Sequence, residues 1–451
     1  MTDSVEATQG VREAPRGLFG LLHNIGPGVV VSGSVVGSGE LLVTTRMGAE
    51  VGFVFLWGVI VASVIKFFIQ VELGRQSVLH DETTIQSLDR ISGFRFRDTS
   101  WVAWLCSAGY LGVMLALVGI LGAVAGLMHA VFGGISKEVW ALPVVILLFF
   151  LLWRGLYDDL EKMVTFLVAA FSLIVIGSVL MLQGTEHSIT GSQLMSGFRF
   201  DMPAEGAFVA LAVMGSVGAT AVELFMYPYW IREKGYPAFV GPQEDTPAWR
   251  ERYRGWMRVL IADASVCTTI ALVITCAYYL LGASILNKLN VIPEGFEVVE
   301  HVSLIFTESI GGWAQGIFLF GAFCTLFSTL LVFAASSGRI GVDFLHQVGI
   351  SALYREEARR KTQSALQIAF PLLWLFVLWT YGQNPFFLLL LGANANNLLL
   401  IPLAYGVVHL AMRTASQVRM PMWAELGLMV TIWVIINFTA INLYLKWMGG
   451  S

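Results

Sequence analysis

The stretch GPGVVVSGSVVGSGELLVT, Gly26 to Thr44, decides how this chain folds. It is apolar enough to begin a membrane span. Yet Gly37, Ser38 and Gly39 fall near its middle, and a carboxylate, Glu40, follows at once. Irregular backbone survives in a membrane only where it is buried in protein or lines a cavity, so a lipid-facing helix has no use for such a break. A second stretch repeats the pattern. GSVGATAVELFMYPYW, Gly215 to Trp230, weakens at Gly218 and Thr220 and continues with Glu223. Paired interruptions in corresponding apolar segments are the sequence mark of a transporter's central site.

The surroundings agree with a membrane setting. The chain has 451 residues, 56 % hydrophobic and 13 % charged, with a mean hydropathy of +0.73; soluble domains carry about 25 % charged residues. The expected class is an all-α integral membrane protein in the lipid bilayer. A span needs about 20 mostly apolar residues. Eleven segments qualify, roughly 21–46, 51–73, 101–131, 138–154, 160–183, 206–231, 258–286, 313–344, 364–382, 385–412 and 423–446. The interrupted spans are the first and sixth, equivalent positions in two inverted five-helix repeats. The expected organisation is a tail over 1–20, repeats over 21–183 and 206–412, and an eleventh helix over 423–446. The polar first 20 residues lack the apolar core of a cleavable leader.

Orientation follows from Lys and Arg. With the N-terminus cytoplasmic and the C-terminus outside, the inner loops hold clusters such as Arg75, Arg90, Arg95, Arg97 and Arg250, Arg252, Arg254, Arg258. The outer side keeps only Arg46, Lys137, Arg199, Lys288 and Lys446. The outer loop after the seventh span is acidic, with Glu294, Glu297, Glu300 and Glu308. A plasma or bacterial inner membrane fits this bias. The basic residues sit in short loops, and nothing points to nucleic acid.

A carboxylate at the centre of a span costs at least about 2.5–3.5 kcal/mol on insertion scales. Two of them around one divalent cation cancel its charge, so Glu40 and Glu223 are the candidate metal ligands. Backbone at Gly37, Ser38, Gly39, Ala219 and Thr220 would complete the substrate site. The plain alternative is that each Glu caps a half-helix or is protonated. Asn394, Asn396 and Asn397 in LLGANANNLLLIP either line the pathway or bond between helices. Lys66 is expected to snorkel, Glu72 and Arg75 to pair on one helix face, and Asp263 to be interfacial. Tyr227, Tyr229 and Trp230 read as an interfacial belt. Cys106, Cys267, Cys276 and Cys324 lie in apolar runs and read as packing residues.

GPG at Gly26–Gly28, RMGAEVGFVFLW at Arg46–Trp57 and VGATAV at Val217–Val222 together resemble the Nramp divalent-metal transporters. The resemblance implies a LeuT-like fold, a 5+5 inverted repeat plus an eleventh helix, with the substrate at the two breaks. The departures fall in the site. Where that family reads Asp-Pro-Gly-Asn, this chain has Gly37-Ser38-Gly39-Glu40. Where it reads Met-Pro-His, this chain has Val222, Glu223 and Leu224. The thioether that suits softer metals is gone, as it is in Nramp-like branches that carry Mg²⁺. The third span, WVAWLCSAGYLGVMLALVG, has no acid on the expected proton route.

Three readings stay open. The first is a secondary transporter for a hydrated hard divalent cation, Mg²⁺ or Mn²⁺, without the family's usual proton coupling. The second is a same-fold transporter of a small organic or anionic substrate, with Glu40 and Glu223 handling protons. The third is a sensor that no longer transports. No cofactor is expected. No enzyme is expected either, for no nucleophile–base pair, zinc spacing or phosphate loop is present.

Overall fold

The computed structural model describes residues 10–15, 17, 20, 37–153, 157–350 and 355–449. The first half of the first span, with the GPG motif at Gly26–Gly28, lies outside the described residues. A π-helical turn, Gly39–Thr44, leads into α1 (Thr45–Val51). Next come α2 (Leu56–His80), the short α3 (Thr84–Asp89), α4 (Trp101–Phe132), α5 (Ala141–Trp153) and α6 (Tyr157–Leu182). A short α7 (Gly191–Ser196) precedes α8 (Ala207–Ser216) and α9 (Ala221–Glu233), and α10 (Tyr236–Val240) leads to the long α11 (Pro247–Leu281). The chain closes through α12 (Asn287–Leu289), α13 (Val298–Ser309), α14 (Ala314–Gln347), α15 (Glu356–Tyr381), α16 (Pro385–Arg413) and α17 (Met422–Gly449).

Among the described residues, eight of the expected spans are helices long and apolar enough to cross a membrane, with α8 and α9 taken together. The fourth and fifth spans are shorter apolar helices, Ala141–Leu152 and Val168–Gly184. Burial sorts them. The α8–α9 span is 83 % buried over its most apolar window, and α15 only 22 %. The interrupted sixth span therefore runs through the middle of the bundle, while α15 faces outward.

Close packing at the centre depends on missing side chains. A Cβ on Gly392 of α16 would lie 2.0 Å from the Ala116 nitrogen of α4, so these two helices meet backbone to backbone. One strand pair, Arg95–Phe96 with Thr99–Ser100, is an antiparallel hairpin in the loop after α3. Its turn residues Arg97 and Asp98 both have positive φ, the twist that tight hairpins favour.

The arginine-rich face is laced by ion pairs. Glu72 and Arg75 pair as expected, and both are buried. Arg232 meets Asp81 at 2.7 Å, Arg339 meets Glu233 at 3.3 Å, and Arg359 pairs with the buried Asp343. Two expectations fail here. Tyr227 is fully buried and donates to Asp263 at 2.9 Å, and Tyr229 donates to Asp343, so these tyrosines anchor α9 inside the protein rather than forming a belt. Asp263 is not interfacial, because α11 starts at Pro247, well before the expected 258, and carries it into the core. Among the described residues of the expected tail, the Arg12 amide donates to Phe239 O, and Trp256 Nε1 donates to Arg12 O.

Candidate substrate site

The sixth span is cut where the sequence weakens. α8 ends at Ser216; Val217 is extended, Gly218 takes φ +66°, and Thr220 is the extended N-cap of α9. Only glycine adopts that φ without strain. Glu223, in the first turn of α9, turns back on the cap, where its Oε2 accepts the Thr220 amide at 2.7 Å and also the Thr220 hydroxyl. With the Thr220 side chain meeting the Glu223 amide in return, this is a capping box, so the capping alternative holds for one oxygen of Glu223.

The first span behaves differently from expectation. Gly37 is a bend, but Ser38 and Gly39 are wound, with Ser38 in right-handed helical geometry and the turn over Gly39–Thr44 widened to π spacing. Such bulges absorb an extra residue and are frequent at functional sites. Gly39 is needed for contact: a Cβ there would lie 2.1 Å from Ser216 O, at the cut end of α8.

Glu40 bridges the two spans. Its Oε2 accepts the Gly37 amide at 3.2 Å and its Oε1 the Gly218 amide at 3.1 Å, and none of the residue is exposed. A carboxylate has about four lone-pair sites; the Thr275 hydroxyl also approaches Oε1, at 3.5 Å, so the free capacity lies mainly on Oε2. Asn396 of α16 holds both cut ends of the sixth span. It donates to Gly215 O at 2.7 Å and accepts from Ala221 N at 3.2 Å.

These groups surround one cavity of ≈ 40 Å³, room for a few waters. Of the expected residues, Gly37, Ser38, Gly39, Glu40, Thr220, Glu223 and Asn396 line it. Ala219 is buried but outside the lining. Asn394 bonds instead to Phe208 O and Leu390 O, and Asn397 to Thr439. The opposite wall is apolar, from Val113, Leu117 and Ile120 of α4. The lining holds no Met, Cys or His. Among the described residues no group of three or more His, Cys, Asp or Glu is placed to hold a metal ion. A cation here would need its two carboxylates supplemented by neutral oxygens.

Two residues escaped the sequence reading. Thr329 of α14 lines the cavity, signalled only by a polar Ser-Thr pair in an apolar run. Lys66 does not snorkel. It is fully buried at the middle of α2, and its ammonium donates to Gly215 O at 3.3 Å and to Val217 O. The break of the sixth span lies against α2, since a Cβ on Gly218 would be 3.3 Å from Ser63 Cα. Lys66 follows one turn later and reaches the cut end of α8 rather than the bilayer surface.

Comparison with known proteins agrees with this architecture. The family described as natural resistance-associated macrophage protein-like, Nramp, matches residues 28–447. A divalent metal cation transporter MntH from Xylella fastidiosa is 23 % identical over 429 residues, covering 92 % of this chain and 83 % of its own. Among solved structures, a mutant of the Eremococcus coleocola manganese transporter superposes with TM-score 0.61 at 15 % identity, over 98 % of this chain and 90 % of its own. MhsT, solved with L-phenylalanine, superposes with TM-score 0.55 at 14 % identity, over 96 % of this chain and all of its own. The fold is the LeuT-like one, and the chain, matched over nearly its whole length, belongs to the Nramp family.

Proposed function

We propose that this Nramp-family protein is a secondary transporter that carries a hard divalent cation, Mg²⁺ or Mn²⁺, between Glu40 and Glu223, without the proton coupling that the family resemblance implied. One observation carries the reading: two carboxylates, from the first and sixth spans, line one cavity whose lining offers oxygen but no sulfur or imidazole. Oxygen ligands suit hard cations, and thioether or thiolate the softer ones. The cavity holds only a few waters, so in this conformation the ion is gripped largely by protein oxygens. Mg²⁺ gives up its waters reluctantly, and a hydrated Mg²⁺ would require the cavity to widen. The wall from α4 supplies Val113, Leu117 and Ile120 and no acid, which leaves no second carboxylate there to relay a proton. We assign no catalytic step. The arginine-rich face is the cytoplasmic one on the same reading, with repeats over 21–183 and 206–412.

Proteoliposomes test this directly. Uptake of Mg²⁺ and Mn²⁺ is followed with a pH dye inside the vesicles. The expected record is metal entry with no acidification of the lumen. Acidification that requires the metal, and that disappears in Glu40→Gln or Glu223→Gln, would make a glutamate the proton carrier and favour the organic-substrate reading.

A further inference from the structure

The Lys66 ammonium feels the charges of Glu40 and Glu223 but makes its hydrogen bonds elsewhere. Its ammonium is aimed at Gly215 O and Val217 O, the carbonyl end of α8. A helix C-terminus carries about half a negative charge. In transporters with broken helices, freed carbonyls and half-helix C-termini are where Na⁺ or a proton is held. Satisfying those carbonyls did not demand a lysine. Gly215 O already receives the Asn396 amide at 2.7 Å, and a neutral donor would serve Val217 O. What lysine adds is a group able to carry a positive charge, at a depth where a charge costs at least about 2.5–3.5 kcal/mol to insert.

We propose that Lys66 is a resident cation: from within the chain, its ammonium fills the monovalent-cation seat at the C-terminal end of α8, so the broken span keeps its shape without Na⁺ or K⁺. The inference goes beyond the divalent substrate and does not depend on which divalent ion is carried. It also differs from simple helix capping, which needs a donor but no charge.

The test uses the full-length protein in detergent and reads thermal unfolding in NaCl, KCl or choline chloride at equal ionic strength. The wild type is expected to melt at the same temperature in all three. Lys66→Met and Lys66→Gln are expected to melt lower in choline and to regain several degrees, saturably, in Na⁺ or K⁺. A wild type stabilised by Na⁺ or K⁺ over choline would overturn the proposal. So would variants equally destabilised in all three salts, which is the mark of a structural cap. If Lys66→Met yields no folded protein, Lys66→Gln decides. A glutamine variant as stable as wild type in choline would mean that only a donor was needed.

Discussion

Glu40 and Glu223 carry the same formal charge but are held differently, and substitution separates them. Each Glu40 oxygen accepts one amide, from Gly37 and from Gly218. Glutamine offers one oxygen, so Glu40→Gln leaves a buried N–H without an acceptor, a loss of about 1–3 kcal/mol. Glu223 caps α9 through one oxygen, which glutamine retains. Both variants are expected to lose metal uptake about tenfold or more, as one tenth of the rate is about 1.4 kcal/mol. Only Glu40→Gln should also melt clearly lower, and equal melting temperatures would contradict this account of the bridge. Metal preference belongs to the same scale. By the family resemblance Val222 stands where a thioether is expected, and neither it nor Met226 lines the cavity. Calorimetry should find Cd²⁺, which prefers sulfur, bound no more tightly than Mn²⁺; tight Cd²⁺ binding would reveal a sulfur ligand.

At the scale of elements, the site depends on how the interrupted spans touch. Gly39→Ala places a methyl 2.1 Å from Ser216 O, and only separation of the two spans relieves it. Uptake should fall sharply, with a lower melting temperature; normal uptake would mean that the contact is slack. Asn396→Leu strips the acceptor from the buried Ala221 amide. Gly215 O would still have Lys66, so the expected cost is that of one orphaned group, about 1–3 kcal/mol, read as a drop in melting temperature. The sixth-span break was legible because Gly218 supplies a positive φ and Thr220 a cap. The first was only half legible. A Gly-Ser-Gly run weakens a helix, but composition does not say whether the backbone unwinds or widens into a π turn, which neighbouring packing decides. Lys66 was misread for the same reason. Its side chain could follow α2 toward the membrane surface or cross to α8, and the approach of Gly218 to Ser63 settles it.

At the scale of the molecule, the pattern of apolar runs told most, since bilayer thickness fixes span length in the sequence itself. The start of α11 was placed too late because its first turns, rich in arginine, look like loop while being helical. The tyrosines of α9 were placed at an interface because their partners, Asp263 and Asp343, come from distant parts of the chain. Glu40 also has a mechanical meaning. By gripping an amide on each interrupted span it works as a rivet, and the Gly39–Ser216 contact leaves no play beside it. With that bond intact, the two spans are expected to move together rather than slide past one another. The apolar wall of α4 faces them across the cavity.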